Sequence, residues 1–188
     1  NTMPNHVYCT ISTTKKHTLE TFYKWSKKLN GGMANLIIPR PTEQDENWYD
    51  WNRHNWGTKW GFYDQDFDES SNGATLDFVT AWNEPSQKLL DKIALHLPDM
   101  NFSYEEETGW GGEMQYENAE KVYHETFTEP PFSAEGWDDE ENRYERLDVE
   151  YRRRGITHKI GWYHEGCLDL SVPDLPTDSE KIVRVEEW

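Results

Sequence analysis

The chain has 188 residues, of which 19 are Lys or Arg and 36 are Asp or Glu, so its formal net charge is −17. Aromatic residues make up 14% of the chain, which argues against intrinsic disorder because aromatic side chains bury large areas on folding. The excess of acid excludes a general binder of phosphate backbones, and no direct DNA binding is expected. The chain has no apolar run of the roughly 20 residues that a membrane-spanning helix needs, so we expect a cytoplasmic protein without membrane contact.

The acidic residues are concentrated in the middle of the chain. Residues 41–150 hold seven basic and 28 acidic side chains, whereas residues 1–40 hold six basic side chains and one acidic side chain. A segment with this composition creates a strong local negative field. It predicts an acidic surface, which serves either to keep the protein in solution or to bind a basic partner.

Hydrophobic patterning predicts the elements in the first part of the chain. Strict alternation over residues 7–11 predicts a half-buried strand, and an apolar stripe over residues 18–29 predicts a helix that ends at a Gly-Gly turn. The apolar run at residues 36–38 predicts a short strand. Within a tryptophan-rich stretch we expect a short helix at residues 48–54, and the acidic residues 64–73 are expected to form a loop.

The next part of the chain repeats this pattern. Residues 76–82 alternate as a strand, and a helix is predicted from Pro85 until Pro98 stops it. Residues 102–105 predict another strand, followed by strands at residues 114–116 and 121–127.

The order strand, helix, strand, strand, helix, strands predicts an α+β fold of the ferredoxin-like type for residues 3–130. In such a fold an antiparallel sheet carries two helices on one face. The tryptophan-rich segment is then an insertion between the second and third predicted strands. Residues 131–188 are expected to form a C-terminal α/β extension packed on the same domain, with a helix at about residues 138–154 because acids begin it and Arg152–Arg154 end it. A strand is predicted at residues 156–162.

Four short motifs stand in a recognisable order: Met3-Pro4-Asn5, Asn55-Trp56-Gly57-Thr58-Lys59-Trp60, Thr80-Ala81-Trp82 with Pro85, and Tyr104-Glu105-Glu106 before a Gly-rich turn. In order and spacing they resemble the YubB-like ferredoxin-like domain proteins of plasmids and bacteriophages. The six-residue turn is the most specific motif, and the resemblance covers residues 3–130. It implies a ferredoxin-like fold and a mobile-element origin, and it carries over no catalytic residues.

An aromatic ligand site is predicted from one basic and four aromatic residues: Trp56, Lys59, Trp60, Trp82 and Trp110. Indole rings can stack on a base while a lysine contacts a phosphate, so these residues predict a pocket for a nucleotide or another small molecule. The alternative interpretation is that the tryptophans attach the insertion to the sheet.

An acidic partner-binding surface is the function that the charge distribution favours. Its predicted residues are Asp64, Asp66, Asp68, Glu69, Glu105, Glu107, Asp138, Asp139, Glu140 and Glu141. The expected partner is a host protein with a basic surface, such as a nucleic-acid-handling or defence protein whose DNA site the acids would mimic. Electrostatic steering would make this association fast and salt-sensitive.

Catalysis is the remaining alternative, and the sequence provides little for it. The glutamates Glu105, Glu106, Glu107 and Glu113 could serve a carboxylate-dependent hydrolase or transferase. Adjacent strand residues point to opposite faces, however, so Glu106 is not expected to join its neighbours. We assign no catalytic residue and expect no cofactor or metal, because His164 and Cys167 lack a second pair of ligands.

Overall fold

A computed structural model of the chain describes residues 4–127, 144–153, 155–165 and 180–187. These residues form a mixed α+β structure. Its helices are α1 (Lys16–Ser26), α2 (Gly32–Ile37), α3 (Trp48–Asn55) and α4 (Gln87–His96), with a 3-10 helix at Thr42–Asn47. Its strands are β1 (His6–Thr13), β2 (Tyr63–Ser70), β3 (Gly73–Ala81), β4 (Asn101–Glu106), β5 (Gly111–Glu117), β6 (Glu120–Phe127), β7 (Tyr144–Arg153), β8 (Ile156–Glu165) and β9 (Glu180–Glu187).

The described strands make one continuous sheet in the order β2-β3-β1-β4-β5-β6-β8-β7-β9. Every neighbouring pair is antiparallel except β6 and β8, which run parallel. Strand β1 lies between β3 and β4, so the chain's first strand is central to the first half of the sheet.

One face of the sheet is covered by helices, and the alternation of buried residues shows which face it is. Val7, Cys9 and Ile11 of β1 are buried, whereas Tyr8 between them is 55% exposed. The buried side chains join one core with residues from α1 and α4: Leu19, Leu89, Leu90, Ile93 and Ala94. Burial of these apolar side chains is the main force that holds the helices on the sheet.

Local capping explains where α4 begins and ends. The Ser86 hydroxyl accepts a hydrogen bond from the backbone N–H of Leu89 at 3.2 Å, which satisfies a donor that the first helical turn leaves free. The helix ends at His96, two residues before Pro98. It therefore begins at Gln87, two residues after the predicted start at Pro85.

Several predicted elements are confirmed, namely the strands at residues 7–11, 76–82 and 102–105 and the helix at residues 48–54. The strand predicted at residues 36–38 is wrong, because residues 36 and 37 belong to α2. The loop predicted at residues 64–73 is also wrong, because most of it forms β2.

The predicted helix at residues 138–154 is wrong for residues 144–153, which form β7. The spacing of Tyr144, Leu147 and Tyr151 fits a helical stripe, but pairing with β8 on one side and β9 on the other provides backbone partners that a sequence pattern cannot show. The rest of that predicted helix lies outside the described residues. No helix in the described part of the chain is long and apolar enough to cross a membrane.

Candidate functional site

The face of the sheet opposite the helices carries carboxylates. We call the outward-facing residues of β2, β3, β1, β4 and β5 the acidic face. Its exposed carboxylates are Asp66, Asp68, Asp77, Glu105, Glu113 and Glu117. The side chains come from four strands that are separated along the chain by turns and by α4, so only the sheet brings them together.

The strand register places some of these acids in one row. Asp66 pairs with Asp77, Asp77 with Thr10, Thr10 with Ser103, Ser103 with Glu113, and Glu113 with Glu125 on β6. Paired residues in a sheet point to the same side, and neighbouring strands lie about 4.8 Å apart. The row across these six strands is therefore about 24 Å long.

The acidic face has a single sign of charge. Along β2, β3, β1, β4 and β5 no Lys or Arg faces outward in the described residues. A basic residue first enters the row on β8, where Lys159 pairs with Glu125 of β6. The strands of the acidic face and the neighbouring β6 therefore present no outward-facing Lys or Arg among the described residues.

Two pairs of like charges lie directly opposite each other in this row: Asp66 with Asp77, and Glu113 with Glu125. Such cross-strand pairs destabilise a sheet. The hydroxyls of Thr10 and Tyr123 each donate a hydrogen bond to one of these acids, at 2.6 Å to Asp77 and 2.5 Å to Glu125. Neutral donors thus reduce the repulsion without reducing the charge.

We expect the Asp66→Asn variant to be more stable than the parent chain by about 0.5 kcal/mol, because it removes the repulsion from Asp77. The matched control is Asp68→Asn, whose neighbour across the strands is the neutral Thr75. Urea unfolding at low and high ionic strength measures both variants. The gain for Asp66→Asn should shrink in high salt, which screens exposed charges. Equal gains for the two variants would show that the opposed pair has no special cost.

The predicted partner-binding residues do not all lie on one surface. Asp66, Asp68 and Glu105 lie on the acidic face. Glu69 pairs with the buried Ala74 and so stands at a helix-side position, while Glu107 lies just beyond β4. Asp64 lies in the irregular start of β2, with a positive φ of 51°. The predicted residues at positions 138–141 lie outside the described residues.

The predicted partner-binding residues did not include Asp77 and Glu113 of the acidic face, nor Glu125, which continues the row on β6. The alternation in β3 contained the necessary signal, because Asp77 stands between the buried Leu76 and Phe78 and so must face outward. The position of Glu113 opposite Ser103 depends on strand register, which the sequence does not give.

The five predicted ligand-binding residues are not gathered in one place. Trp56 is 1% exposed and its indole N–H donates to the carbonyl of Ile38 at 3.0 Å, so it lies in the core. Trp110 is partly buried and packs edge-on against Tyr104, with ring centroids 6.2 Å apart. For these two residues the structure agrees with the alternative of a packing role.

Lys59, Trp60 and Trp82 do come together. The Lys59 ammonium lies 4.7 Å from the ring centroid of Trp60 and 4.8 Å from that of Trp82, so it sits within reach of both indoles. Trp82 has a φ of 71°, which is rare for a bulky residue, and its backbone N–H donates to the carbonyl of Asn5 at 2.9 Å. The turn after β3 thus places its indole next to Lys59.

Tyr63 and His6 extend this aromatic group toward the sheet. The Tyr63 hydroxyl is 2.7 Å from Nδ1 of His6, and its ring packs edge-on against Trp60 with centroids 5.9 Å apart. Burial, together with the nearby carboxylates of Asp64 and Glu107, raises the pKa of Tyr63 to about 12. Tyr63 is therefore a neutral hydrogen-bonding group at physiological pH.

The glutamates proposed for catalysis do not converge. Glu105 and Glu113 are exposed on the acidic face, whereas Glu106 is 2% exposed on the helix side. Burial would raise the pKa of Glu106, but hydrogen bonds from the side chain and backbone of Thr108 outweigh it, so the pKa is lowered. Among the described residues, no three His, Cys, Asp or Glu side chains are grouped to hold a metal ion.

The chain is similar to a protein of known structure, api92 from Yersinia pseudotuberculosis, of the DUF1281 family. The sequences are 21% identical, the TM-score is 0.43, and the match covers 53% of this chain and 40% of that one. A likeness at this level does not establish a shared fold. No protein-family model and no curated protein matches the chain.

Proposed function

We propose that the acidic face is a docking surface for a protein with a basic surface. The observation that carries this proposal is the single sign of charge of the outward-facing residues over five strands. A solvated face usually mixes both signs, whereas a uniform face attracts a complementary surface and rejects like-charged ones.

The opposed acids Asp66 and Asp77 support this proposal. Their repulsion costs stability, and a neutral or basic residue at either position would relieve it. Acidic residues that lower the stability of the fold are expected at positions where binding requires their charge. The polar residues Thr10 and Ser103 between the acids provide hydroxyl groups that can bond an incoming guanidinium or ammonium only as acceptors, which suits a cationic partner.

As part of this proposal, we assign a ferredoxin-like fold to the first half of the sheet. Its strand order is β2-β3-β1-β4, all antiparallel, and α1 and α4 both contribute to the core on one face. This is the arrangement expected of a βαββαβ unit. The resemblance to plasmid and bacteriophage proteins adds a mobile-element origin. The proposed partner is therefore a host protein that handles nucleic acid, since such proteins carry basic surfaces.

The test compares two variants of equal charge. The acidic-face variant carries Asp66→Asn, Glu105→Gln and Glu113→Gln. The matched control carries Asp50→Asn, Glu43→Gln and Glu46→Gln, which are exposed residues of the 3-10 helix and α3. Each variant loses three of the 36 acids, so the net charge changes from −17 to −14 in both.

The full chain and both variants are immobilised and exposed to bacterial lysate at low and high salt. We expect the parent chain and the control to retain the same basic protein at low salt, and the acidic-face variant to lose it by about tenfold or more. Retention should also fail at high salt. If both variants retain the same proteins, or if no basic protein is retained, the proposed docking function is wrong.

A further inference from the structure

A cleft of about 650 Å³ lies between the end of α1 and the start of β2. One wall is formed by Tyr23 and the turn at residues 26–32, and the other by Trp60 and residues 62–65. The volume is within the range of small-molecule sites, which is about 300–1,000 Å³. The cleft brings together residues more than 30 positions apart, and no sequence motif marks it.

The rim of the cleft is basic in a chain that is otherwise acidic. Lys27 and Lys28 line it and are exposed. Lys24, one turn earlier in α1, pairs with Glu20 at 2.7 Å, whereas no carboxylate of the described residues lies within ion-pair distance of Lys27 or Lys28. Two adjacent ammonium groups facing a cleft can bind an anion such as a phosphate.

The opposite wall is aromatic. Trp60 is 38% exposed, and the edge of its indole is supported by Tyr63, which is itself hydrogen-bonded to His6. Lys59 lies over the Trp60 ring and brings a third positive charge near the cleft. A partly exposed indole in a fixed position provides a stacking surface for a flat ring.

The base of the cleft is held rigid by Gln65. Its side-chain carbonyl accepts from the backbone N–H of Met33 at 2.8 Å, and its amide donates to the Ser26 hydroxyl at 3.1 Å. These bonds join β2 to α1 and α2, so the lysine wall and the aromatic wall are kept at a set separation. Such preorganisation reduces the entropy that binding costs.

From this geometry we infer that the cleft binds a mononucleotide, with its phosphate at Lys27 and Lys28 and its base at Trp60. The ligand class follows from the two walls of the cleft. A ligand with only a flat ring would give the lysines no anion to bind, and inorganic phosphate would give the indole no ring to stack on. Asp64 also lines the cleft, and its negative charge repels the phosphate and so lowers the affinity for the mononucleotide.

Calorimetry with adenosine 5′-monophosphate, adenosine and inorganic phosphate tests this inference on the full chain. We expect the monophosphate to bind saturably, and the other two probes to bind at least about tenfold more weakly. The absence of saturable binding of the monophosphate up to about 5 mM overturns the inference. Equal binding of adenosine overturns the assignment of the lysines.

Three variants locate the site. The double variant Lys27→Ala, Lys28→Ala should weaken binding about tenfold or more, whereas the matched pair Lys15→Ala, Lys16→Ala, at the start of α1, should leave it unchanged. Equal losses in the two pairs would show only a general charge effect and overturn the site.

The Asp64→Asn variant tests the position of the phosphate independently, in case the alanine variants fold poorly. Asn tolerates the positive φ of residue 64 as well as Asp does, so the fold should be retained. Removing the negative charge should tighten monophosphate binding about threefold. Unchanged or weaker binding in this variant contradicts the placement of the phosphate in the cleft.

Discussion

Replacing Trp56 with alanine should lower the free energy of unfolding by about 3–5 kcal/mol, the usual cost of removing a buried tryptophan. Trp56 is 1% exposed and packs edge-on against Trp51, with ring centroids 5.2 Å apart. Its indole N–H donates to the carbonyl of Ile38, so the substitution also leaves a partly buried carbonyl without this donor. Urea unfolding followed by circular dichroism measures the change.

The matched control is Trp25→Ala in α1, because the Trp25 side chain is 65% exposed. We expect its effect to stay within about 0.5 kcal/mol of the parent chain. If the two variants unfold at the same urea concentration, the assignment of Trp56 to the core is wrong. A ligand-binding role for Trp56 would instead leave stability unchanged and reduce nucleotide affinity.

Replacing Gly57 with alanine should destabilise the chain by at least about 3 kcal/mol, because two costs act together. Gly57 has a φ of +79°, in the region that side chains disfavour. An added Cβ would also lie 2.7 Å from the backbone nitrogen of Ser86. That nitrogen donates to the carbonyl of Trp56 at 2.8 Å, so the clash would break the contact between the tryptophan-rich segment and the start of α4.

Gly155 provides a control that separates the two costs. Its φ is +78°, but no atom lies within 4 Å of an added Cβ. Gly155→Ala should therefore show only the backbone cost of about 1 kcal/mol. Thermal and urea unfolding of both variants give the difference. Equal destabilisation of the two would mean that the close approach at Ser86 does not constrain the chain.

The sequence predicted the central strands well because each buries one side only. Val7 and Ile11 in β1 and Phe102 and Tyr104 in β4 alternate with polar residues, and a period of two is a strong signal when one face is covered by helices. The same alternation places Asp77 on the outward face, although Asp77 was not among the predicted partner-binding residues. The charge distribution could therefore predict an acidic surface, though not the row that strand register creates.

The wrong predictions arise where local pattern does not determine structure. The run Leu36-Ile37-Ile38 suits a strand by composition, but a short apolar run also suits a helix, and here it ends α2. In β2 polar residues dominate, with Phe67 and Tyr63 as its large apolar side chains, so the strand resembles a loop. Pairing with β3, which is not local, decides the outcome.

The proposed nucleotide site could not be predicted for a different reason. Lys27 and Lys28 suit the last turn of a helix, where cations are favoured by the helix dipole, and nothing in the sequence links them to Trp60. The fold brings them together when Gln65 bonds across to Ser26 and Met33. The aromatic prediction included Trp60 for its ring, but it had no means of finding the anion-binding partners.

The position of β2 at the outside of the sheet has a further consequence. The backbone N–H and C=O groups on its free side could pair with a strand of another molecule and extend the sheet between copies. Asp64, Asp66 and Asp68 occur at every second residue of this strand, so a second copy aligned there would bring two aspartate runs alongside each other. Asp66 and Asp68, which belong to the proposed docking surface, thus also oppose pairing of this strand between copies of the chain.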